Sequence, residues 1–489
     1  MDLRISIPLL ALFLLAKCEN TTTIKDATAD SNAITIENST PEAAILCTVC
    51  ACTDGYVNCN NRSLENHLED RQWLNVTAKE ISFEHNRLVH ITPFPKIIVY
   101  KINLGKNQIT VIDRHAFKEL VNLTELDLNN NQLTSDQLRP HIFEGPFKPE
   151  AYEPLPLKVL NLANNILHWL HQSIFEHIAD IEVLNLSGNP FGVFDYRTSI
   201  AISSLSYLRE LDLSYCQLKE LPNLQFHNAK YLKRLNLAGN ELAVLPKSLE
   251  ETGALEYLSL DDNPIRVIDN TNVFPNLTKL RELSLCNMPS LTAIRNGGLS
   301  ALIGLEDLRV RNCKNLEVIE EYAIAITTAE GMLWPFLKKL DLSSNALQYL
   351  PNLLVNRWDR LEELHLMHNR WSCDCRNQYL IGTVLPEYAT KRKATAEVGE
   401  LTCSAPPEHA GKTLASLSER QLRCLDLYDA RPEKDAAILV GMLIGLLVAI
   451  PLGMALFAFW RRGFFFCGTQ GPASFSRAFY KRASNDDDI

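Results

Sequence analysis

The sequence of 489 residues has no long run of basic residues, and its formal net charge is -10 at pH 7. Proteins that bind nucleic acid usually carry a clustered basic patch, so nucleic acid is not an expected partner. The G-x-S-x-G, H-E-x-x-H, Walker and G-x-G-x-x-G motifs of common enzyme sites are also absent. We therefore expect no catalytic residues, no metal site, no cofactor and no enzyme activity.

Long apolar runs are scarce, and the first of the two present is short. ISIPLLALFLLA (residues 5–16) follows Arg4, and Ala16 and Cys18 place small residues before a possible cut ahead of Glu19. Its twelve apolar residues are too few to span a bilayer core, which needs about 20. Residues 1–18 are therefore predicted to be a signal peptide.

The second apolar run, AAILVGMLIGLLVAIPLGMALFAFW (residues 436–460), contains no charged residue and is followed by Arg461 and Arg462. As a helix it would be about 37 Å long, against a hydrocarbon core of about 30 Å. A basic pair directly after a span is typical of the cytoplasmic side. We predict one transmembrane helix, preceded by a stalk at 425–435 and followed by a cytoplasmic tail at 461–489, in a type I plasma-membrane protein.

N-glycosylation sequons agree with this topology, because all of them precede the predicted span. The acceptors are Asn20, Asn38, Asn61, Asn75, Asn122, Asn185 and Asn276. Residues 19–46 are rich in Thr, Ala, Asn and acidic residues and contain no aromatic residue. This composition predicts a disordered, glycosylated lead-in.

Leucine recurs at fixed spacing between residues 78 and 369. Segments such as LTELDLNNNQL and LKKLDLSSNAL follow the pattern L-x-x-L-x-L-x-x-N/C-x-L, the leucine-rich-repeat signature. About twelve copies align, with ninth-position residues Asn86, Asn107, Asn131, Asn165, Asn189, Cys216, Asn240, Asn263, Met288, Cys313, Asn345 and Asn369. Successive copies lie 21 to 27 residues apart except for gaps of 34 before Asn165 and 32 before Asn345, where we predict insertions.

This pattern predicts an α/β solenoid with one continuous leucine core, because alternate strand residues point inward and successive coils stack at roughly 4.8 Å. The ninth-position Asn is expected to turn inward and bond backbone groups that the bend leaves unpaired. Cys216 and Cys313 occupy that slot, so we predict buried structural thiols. Met288 cannot donate a hydrogen bond there. Cys286 is expected to face outward as the odd thiol of the ectodomain.

Eight further cysteines flank the repeats in two groups of four. They are Cys47, Cys50, Cys52 and Cys59 before the repeats, and Cys373, Cys375, Cys403 and Cys424 after them. A zinc site would need thiolates, whereas the oxidising secretory route favours disulfides. A redox C-x-x-C motif would need a βαβ setting that is not seen here. We interpret both groups as staples that cap the open ends of the solenoid.

This arrangement resembles extracellular leucine-rich-repeat transmembrane proteins with cysteine-rich caps, as in trophoblast glycoprotein, the Slit proteins and the Toll ectodomains. The resemblance covers residues 47 to 460, with an amino-terminal cap at 47–77, repeats at 78–369 and a carboxy-terminal cap at 370–424. It implies that within each cap the first cysteine pairs with the third and the second with the fourth. The implied disulfides are Cys47–Cys52, Cys50–Cys59, Cys373–Cys403 and Cys375–Cys424.

The strand residues between the leucines are expected to line a concave face. Its fifth-position column is polar throughout: Asn103, Asp127, Asn161, Asn185, Asp212, Asn236, Ser259, Ser284, Arg309, Asp341 and His365. Neighbouring positions add a mixed-charge strip that we predict contacts a partner: Arg234, Tyr257, Asp261, Arg281, Asp307, Arg309 and Arg311. Such a surface suits a hydrated protein better than a lipid, although Asn, Asp and Ser are also ordinary soluble strand choices.

His365 and His368 lie close together in HLMH. Both could project from the last strand, so a metal or pH role is an alternative to two solvated polar residues. No third metal ligand is visible in the sequence near them. Solvated polar residues are the interpretation that we prefer.

These observations predict a single-pass cell-surface glycoprotein that binds an extracellular or cell-surface protein, as an adhesion molecule or receptor. The alternative is an auxiliary subunit that acts on another membrane protein, such as a channel or receptor. Small residues recur every four positions along the span and predict helix association, either as a homodimer or with another membrane protein: Ala437, Gly441, Gly445, Ala449 and Gly453. Cys467, beside the membrane, is a candidate for S-palmitoylation.

Overall fold

The computed structural model describes residues 46–68, 70–73, 76, 78–147, 152–329, 331–392, 395–424 and 432–462. Several sequence predictions lie outside these residues. They are the signal peptide, the lead-in up to residue 45, the sequons at Asn20, Asn38 and Asn75, residues 425–431 of the stalk, and the tail beyond residue 462 with Cys467.

One sheet of fourteen short strands runs the length of the repeats. In spatial order its strands are Ala51–Thr53, Tyr56–Asn58, Glu80–Ser82, Lys101–Asn103, Glu125–Asp127, Val159–Asn161, Val183–Asn185, Glu210–Asp212, Arg234–Asn236, Tyr257–Ser259, Glu282–Ser284, Asp307–Arg309, Lys339–Asp341 and Glu363–His365. The first two strands are antiparallel and the others pair in parallel. Each leucine-rich repeat contributes one strand, which confirms the prediction of twelve repeats.

Register along this sheet places equivalent repeat positions side by side. Leu211, for example, pairs with Leu184 on one side and Leu235 on the other. The inward leucines are fully buried, and each buried leucine contributes about 1.5–3 kcal/mol relative to an exposed one. A column of phenylalanines continues this core, with Phe94 and Phe143 stacked on either side of Phe117 at ring-centroid distances of 5.9 and 6.3 Å.

The opposite side of the solenoid uses short elements. Val267–Ile268, Ala293–Ile294 and Val318–Ile319 form a three-stranded sheet, and His90–Ile91 pairs with Val111–Ile112. Short 3-10 turns span Asp70–Trp73, Pro140–Ile142, Lys247–Glu251, Leu353–Val355, Trp358–Arg360, Cys375–Asn377 and Leu414–Leu417, and a π-helix spans Leu380–Val384. The described α-helices are α1 (Leu46–Val49), α2 (Tyr196–Ser203), α3 (Leu385–Arg392), α4 (Thr395–Glu400) and α5 (Pro432–Arg461).

The ninth-position asparagines form the expected internal ladder. Asn240 Nδ2 donates to the carbonyls of Leu213 and Leu237 at 2.8 and 2.9 Å. Its Oδ1 accepts from the backbone N–H groups of Cys216 and Leu218, both at 3.0 Å. One amide side chain therefore satisfies buried backbone groups of two repeats.

Thiols replace the amide in two repeats. Cys216 Sγ donates to the carbonyl of Leu186 at 3.3 Å, and Cys313 Sγ donates to that of Leu285 at 3.2 Å. Both thiols are free and buried, and burial raises the pKa of each to about 12. They are therefore the buried structural thiols that the repeat position predicted.

Each of the two caps contains two disulfides. The pairs are Cys47–Cys52, Cys50–Cys59, Cys373–Cys403 and Cys375–Cys424, which are the pairs implied by the resemblance. In the chain-entropy account, closing a loop of roughly 50 residues contributes on the order of 4 kcal/mol. Leu46, which the sequence analysis placed in the lead-in, is the first residue of α1 and is fully buried against the amino-terminal cap.

Both predicted insertions have structure of their own. In the first, Phe147 pairs with Tyr152 across an isolated bridge, and the Tyr152 hydroxyl lies 2.6 Å from His177 Nδ1 of the next repeat. In the second, Ile326–Thr328 and Gly331–Leu333 form an antiparallel hairpin.

The helix α5 (Pro432–Arg461) contains the predicted span. Residues 436–461 are long and apolar enough to cross a membrane, and all of their side chains are exposed. Pro451 lies inside this helix.

Candidate binding surface

Most side chains of the fifth-position column bond to the backbone of their own repeat. Asn103 Oδ1 accepts from the N–H of Gly105 at 2.8 Å, and Asp212 Oδ1 accepts from that of Ser214 at 2.8 Å. The same bond, from the seventh-position N–H, is formed by Asp127, Asn161, Asn185, Asn236 and Asp341. In repeats 2–7 and 11, this polar column therefore closes the turn after each strand.

Repeats 8–10 differ from this arrangement because their fifth positions carry Ser259, Ser284 and Arg309. In repeat 8, Ser259 Oγ accepts from the N–H of Asp261 only at 3.4 Å. In repeat 9, Asp261 of the preceding repeat supplies the acceptor, with its Oδ1 2.6 Å from the N–H of Cys286. Its Oδ2 accepts from the Ser284 hydroxyl at 3.0 Å. The carboxylate of Asp261 thus links repeat 8 to repeat 9.

Arg309 is anchored by a buried carboxylate. Its Nε donates to Asp307 Oδ1 at 3.1 Å, and its guanidinium lies 3.9 Å from Glu282. The hydrogen bond to Asp307 is the main reason that the pKa of Arg309 is raised. The Arg309 side chain is still 45% exposed. Its guanidinium is therefore fixed by Asp307 and also accessible to solvent.

Arg234 and Tyr257 occupy equivalent positions of adjacent strands. The Arg234 guanidinium lies 4.1 Å from the centroid of the Tyr257 ring, within the range of a cation–π contact. Burial raises the pKa of Tyr257, as does the charge of Asp261, while the charges of Arg234 and Arg309 oppose the rise. All these charged groups therefore lie near the Tyr257 hydroxyl.

The structure thus brings five of the seven predicted contact residues into one surface, which we call the concave patch: Arg234, Tyr257, Asp261, Asp307 and Arg309. Arg281 instead pairs with Glu306 at 3.0 Å, at the edge of the sheet where the strands begin. Arg311 is exposed beside Cys286, and its charge acts on that thiol.

Sequence reasoning missed a row of charged residues at the second repeat position, which alternate in sign from repeat 4 to repeat 11 except that Arg209 and Lys233 are neighbours. Lys158 lies 2.9 Å from Glu182, which lies 3.1 Å from Arg209. Further contacts in this charge row are Lys233–Glu256 at 2.8 Å, Arg281–Glu306 at 3.0 Å and Glu306–Lys338 at 2.6 Å. Reading only the second residue of each repeat would have shown this alternation.

Tyr215 was also missed. It has a positive φ of 55° at the eighth repeat position, and its hydroxyl donates to Asp262 at 3.4 Å. A Cβ on the intervening Gly239 would lie 2.2 Å from Tyr215 Cδ1, so only glycine allows the ring to lie there. This 59% exposed tyrosine adds a second aromatic surface to the same region.

The prediction that Cys286 faces outward was wrong. Its side chain is only 5% exposed, and burial raises the pKa of its thiol. The bond of its N–H to Asp261 holds the turn against the preceding repeat, and its Sγ lies 3.4 Å from the Ser284 hydroxyl. The small side chain is covered by neighbours that the sequence of one repeat does not reveal.

Of the two histidines, His365 has two long contacts with carboxylates and His368 is exposed. His365 Nδ1 lies 3.8 Å from Glu397 and its Nε2 lies 3.9 Å from Glu363. Within the described residues, no group of three or more His, Cys, Asp or Glu side chains is arranged to hold a metal ion. The adjoining cleft between the last strand, α3 and α4 encloses about 10 Å³, which is room for about one water molecule.

Four sequons lie in described parts of the chain. Asn61 and Asn276 are exposed, and Asn122 is half-buried. Asn185 is half-buried on the concave strand Val183–Asn185, where its Oδ1 accepts from the N–H of Ser187 at 2.9 Å.

Comparison with known proteins agrees with this architecture. The leucine rich repeat family model matches residues 99–146 and 206–265. Toll-like receptor 3 of Boselaphus tragocamelus is 26% identical over 329 residues, which are 63% of this chain and 33% of that protein. The transforming growth factor beta activator LRRC32 of Pongo abelii is 28% identical over 304 residues, which are 52% of this chain and 43% of that protein.

Among solved structures, a leucine-rich-repeat protein of Leptospira interrogans is 24% identical, with a TM-score of 0.48. The match covers 68% of this chain and 82% of that protein. The chain spans less than half the length of the two curated relatives.

Proposed function

We propose that this protein, a leucine-rich-repeat chain with disulfide-bonded caps at both ends, is a single-pass cell-surface glycoprotein that binds another protein. Its partner would dock on the concave patch, in the manner of an adhesion molecule or receptor. The observation that carries the proposal is the change in repeats 8–10. In repeats 9 and 10 the fifth-position side chain no longer serves its own backbone, and in repeat 8 Ser259 keeps only a 3.4 Å bond from the N–H of Asp261. An anchored arginine, two carboxylates and Tyr257, paired with Arg234 of repeat 7, face the concave side there.

The chemistry of the patch favours a protein partner. Arginine and tyrosine are enriched where protein interfaces concentrate their binding energy. Small-molecule sites are commonly enclosed cavities of about 300–1,000 Å³, whereas the concave patch is an open strip of charged and aromatic groups. The names of the two curated relatives describe a receptor and an activator of a growth factor, and a role of this kind is consistent with the patch.

Glycosylation would limit how far a partner extends. A sugar on Asn185 would project from a concave strand of repeat 5 and cover neighbouring strands. This leaves repeats 6–12 as the open part of the concave face. An Asn185→Gln change is therefore expected to leave binding intact or to widen it.

The test is a reporter fusion of the secreted ectodomain, residues 19–431, applied to a panel of living cells. We expect saturable staining of some cell types that is lost when those cells are first treated with a protease. Staining that survives protease treatment on every positive cell type, or staining of no cell type, contradicts a cell-surface protein partner for the ectodomain.

The auxiliary-subunit alternative makes a different prediction for the full-length chain. If only the full-length protein co-purifies with a multi-span membrane protein while the ectodomain stains no cells, the auxiliary role replaces the proposed one. In that case Gly441→Ile with Gly445→Ile should abolish association in a membrane two-hybrid assay, because small residues allow close helix approach. The matched changes Leu443→Ile and Leu447→Ile should not.

A further inference from the structure

A basic and aromatic cluster lies where the last repeats meet the carboxy-terminal cap, in turns before the strands and at the end of α3, whereas the concave patch lies on the strands and their following turns. It consists of Phe336, Arg357, Trp358, Arg360, Lys391 and Arg392, and we call it the cap cluster. The first four residues belong to the turns that precede the strands of repeats 11 and 12. The last two lie at the end of α3.

Two guanidinium groups lie against one exposed ring. The Cζ atoms of Arg360 and Arg357 are 4.2 and 5.9 Å from the centroid of Phe336. The Phe336 side chain is 51% exposed, which is unusual for a large aromatic residue. A guanidinium stacked on a ring keeps the N–H groups at its edge free to bind an oxyanion with two hydrogen bonds.

The other two cations are held by neutral groups. Lys391 Nζ donates to the carbonyl of Asp359 at 2.6 Å and lies 5.6 Å from the Trp358 ring. Arg392 Nε donates to the carbonyl of Leu361 at 2.8 Å. These bonds orient both side chains without neutralising their charges.

One carboxylate enters the cap cluster. Asp359 lies 3.2 Å from Arg357 Nε, and this hydrogen bond is the main reason that the pKa of Asp359 is lowered. Among the residues that the structure describes, Arg360, Lys391 and Arg392 have no carboxylate within ion-pair distance. In the charge row, by contrast, the lysines and arginines named above are each paired with a glutamate. The cap cluster therefore retains positive charge on a chain whose formal net charge is -10.

We propose that the cap cluster is a binding site for a sulfated polysaccharide chain. Sulfate and carboxylate groups spaced along such a chain would meet Arg360, Lys391 and Arg392, which lack an ion-pair partner, and the C–H faces of its sugar rings would pack on the exposed ring of Phe336 and the remaining exposed part of Trp358. An acidic peptide would satisfy the charges but has no comparable use for the exposed ring of Phe336. This site is separate from the concave patch and does not depend on the proposed protein partner.

The test measures binding of the full-length protein, purified in detergent, to immobilised heparin. We expect retention at physiological ionic strength, with elution by added salt because exposed charge interactions are screened. Replacing three cations, in the variant Arg360→Gln, Lys391→Gln and Arg392→Gln, should weaken binding at least tenfold. The matched variant Lys158→Gln, Arg209→Gln and Lys338→Gln removes three paired cations and should bind heparin within about twofold of the parent.

Two further variants separate the possible causes. Arg360→Gln alone removes a cation whose described contact is the Phe336 ring, so it tests the site even if the triple variant unfolds, and it should weaken binding about threefold or more. Phe336→Leu keeps every charge and should also weaken binding.

Three outcomes would overturn the proposal. They are failure of the parent to bind heparin, equal loss of binding in the two triple variants, and wild-type binding by Arg360→Gln. Equal competition by poly-glutamate and heparin would also overturn it, in favour of an acidic peptide, as would competition by desulfated heparin.

Discussion

Repeats 2–7 and repeats 8–10 share one sheet and one leucine core but use their concave side chains differently. In repeats 2–7, which we call the regular stretch, the fifth-position Asn or Asp accepts a hydrogen bond from its own turn. In repeats 8–10, the irregular stretch, that position carries serine or arginine, and Asp261 joins two repeats. The difference shows that a polar side chain on the concave face is not by itself free to contact a partner. Side chains that the backbone already uses are less available to a partner.

The largest expected effect contrasts the ninth position of the two stretches. Asn240→Met in the regular stretch would leave the carbonyl of Leu213 and the N–H groups of Cys216 and Leu218 without their partner. Each buried unsatisfied group costs about 1–3 kcal/mol, so three such groups predict a loss of at least about 3 kcal/mol in the free energy of unfolding. Urea-induced unfolding of the secreted ectodomain measures it.

Met288 provides the control in the irregular stretch. It is fully buried at the same repeat position but offers no amide, so Met288→Leu should cost less than about 1.5 kcal/mol. Equal losses for Asn240→Met and Met288→Leu would mean that the asparagine ladder is not what distinguishes these positions.

A smaller effect is expected at Asp261, whose carboxylate holds Cys286 and Ser284 of the next repeat. Asp261→Ala should lower the free energy of unfolding by about 1–3 kcal/mol, because the N–H of Cys286 loses its acceptor. Asp262→Asn is the matched control, since the described hydrogen bond of the Asp262 side chain is a long one from Tyr215 and asparagine tolerates the positive φ of 55° at this position. It should cost less than about 0.5 kcal/mol. A larger loss for the Asp262 variant than for Asp261→Ala would mean that the Asp261 carboxylate does not link repeats 8 and 9.

The charge row should respond to pH in both stretches. Hydrogen bonds from Lys158 and Lys338 are the main reason that the pKa values of Glu182 and Glu306 are lowered. A carboxylate with a lowered folded-state pKa adds stability above its unfolded pKa of about 4.3, and that stability is lost as the pH falls through the folded value.

Thermal melts of the ectodomain between pH 7 and pH 3 measure this loss. Glu182→Gln and Glu306→Gln should each reduce the acid-induced drop by less than about 1 kcal/mol, because these pairs are partly exposed. A stability that does not change below pH 4.5 in the parent would exclude the charge row as a source of stability.

The smallest expected effect is the absence of a difference between two thiols. Cys216 lies in the regular stretch and Cys313 in the irregular stretch, yet burial raises the pKa of each to about 12. Both should resist iodoacetamide at pH 8 in the folded protein, because the thiolate is the reactive form. Mass spectrometry of alkylated peptides checks this. Faster labelling of Cys313 would show that the irregular stretch opens locally.

Much of the fold could be predicted because its rules are local to one repeat. Leucine spacing sets the number of coils, and the ninth position sets the ladder, so the placement of Cys216 and Cys313 followed directly. The cap disulfides came from resemblance, since four cysteines in each group allow three pairings. The burial of Cys286 could not be predicted, because its cover includes Asp261, which lies in the preceding repeat.

The candidate surface was less predictable for the same reason. The position of each residue in its repeat indicated the concave side, and five of the seven predicted contact residues lie together. Single-repeat reasoning could not show that Asp261 bridges two repeats, that Tyr215 lies across Gly239, or that Arg281 pairs with Glu306. Each of these contacts joins residues about 23 to 47 positions apart in the chain. A pattern read one repeat at a time does not contain them.

The most direct test of the central claim compares charge reversal in the two stretches, using the reporter-fused ectodomain on cells that it stains. Arg309→Glu with Arg311→Glu changes the irregular stretch. Arg209→Glu with Lys233→Glu makes the same change of charge in the charge row of the regular stretch. With both variants folded, we predict that the first loses at least tenfold in apparent affinity while the second stays within about twofold of the parent. Unchanged staining by the first variant, or an equal loss in both, would contradict the assignment of the partner to the concave patch.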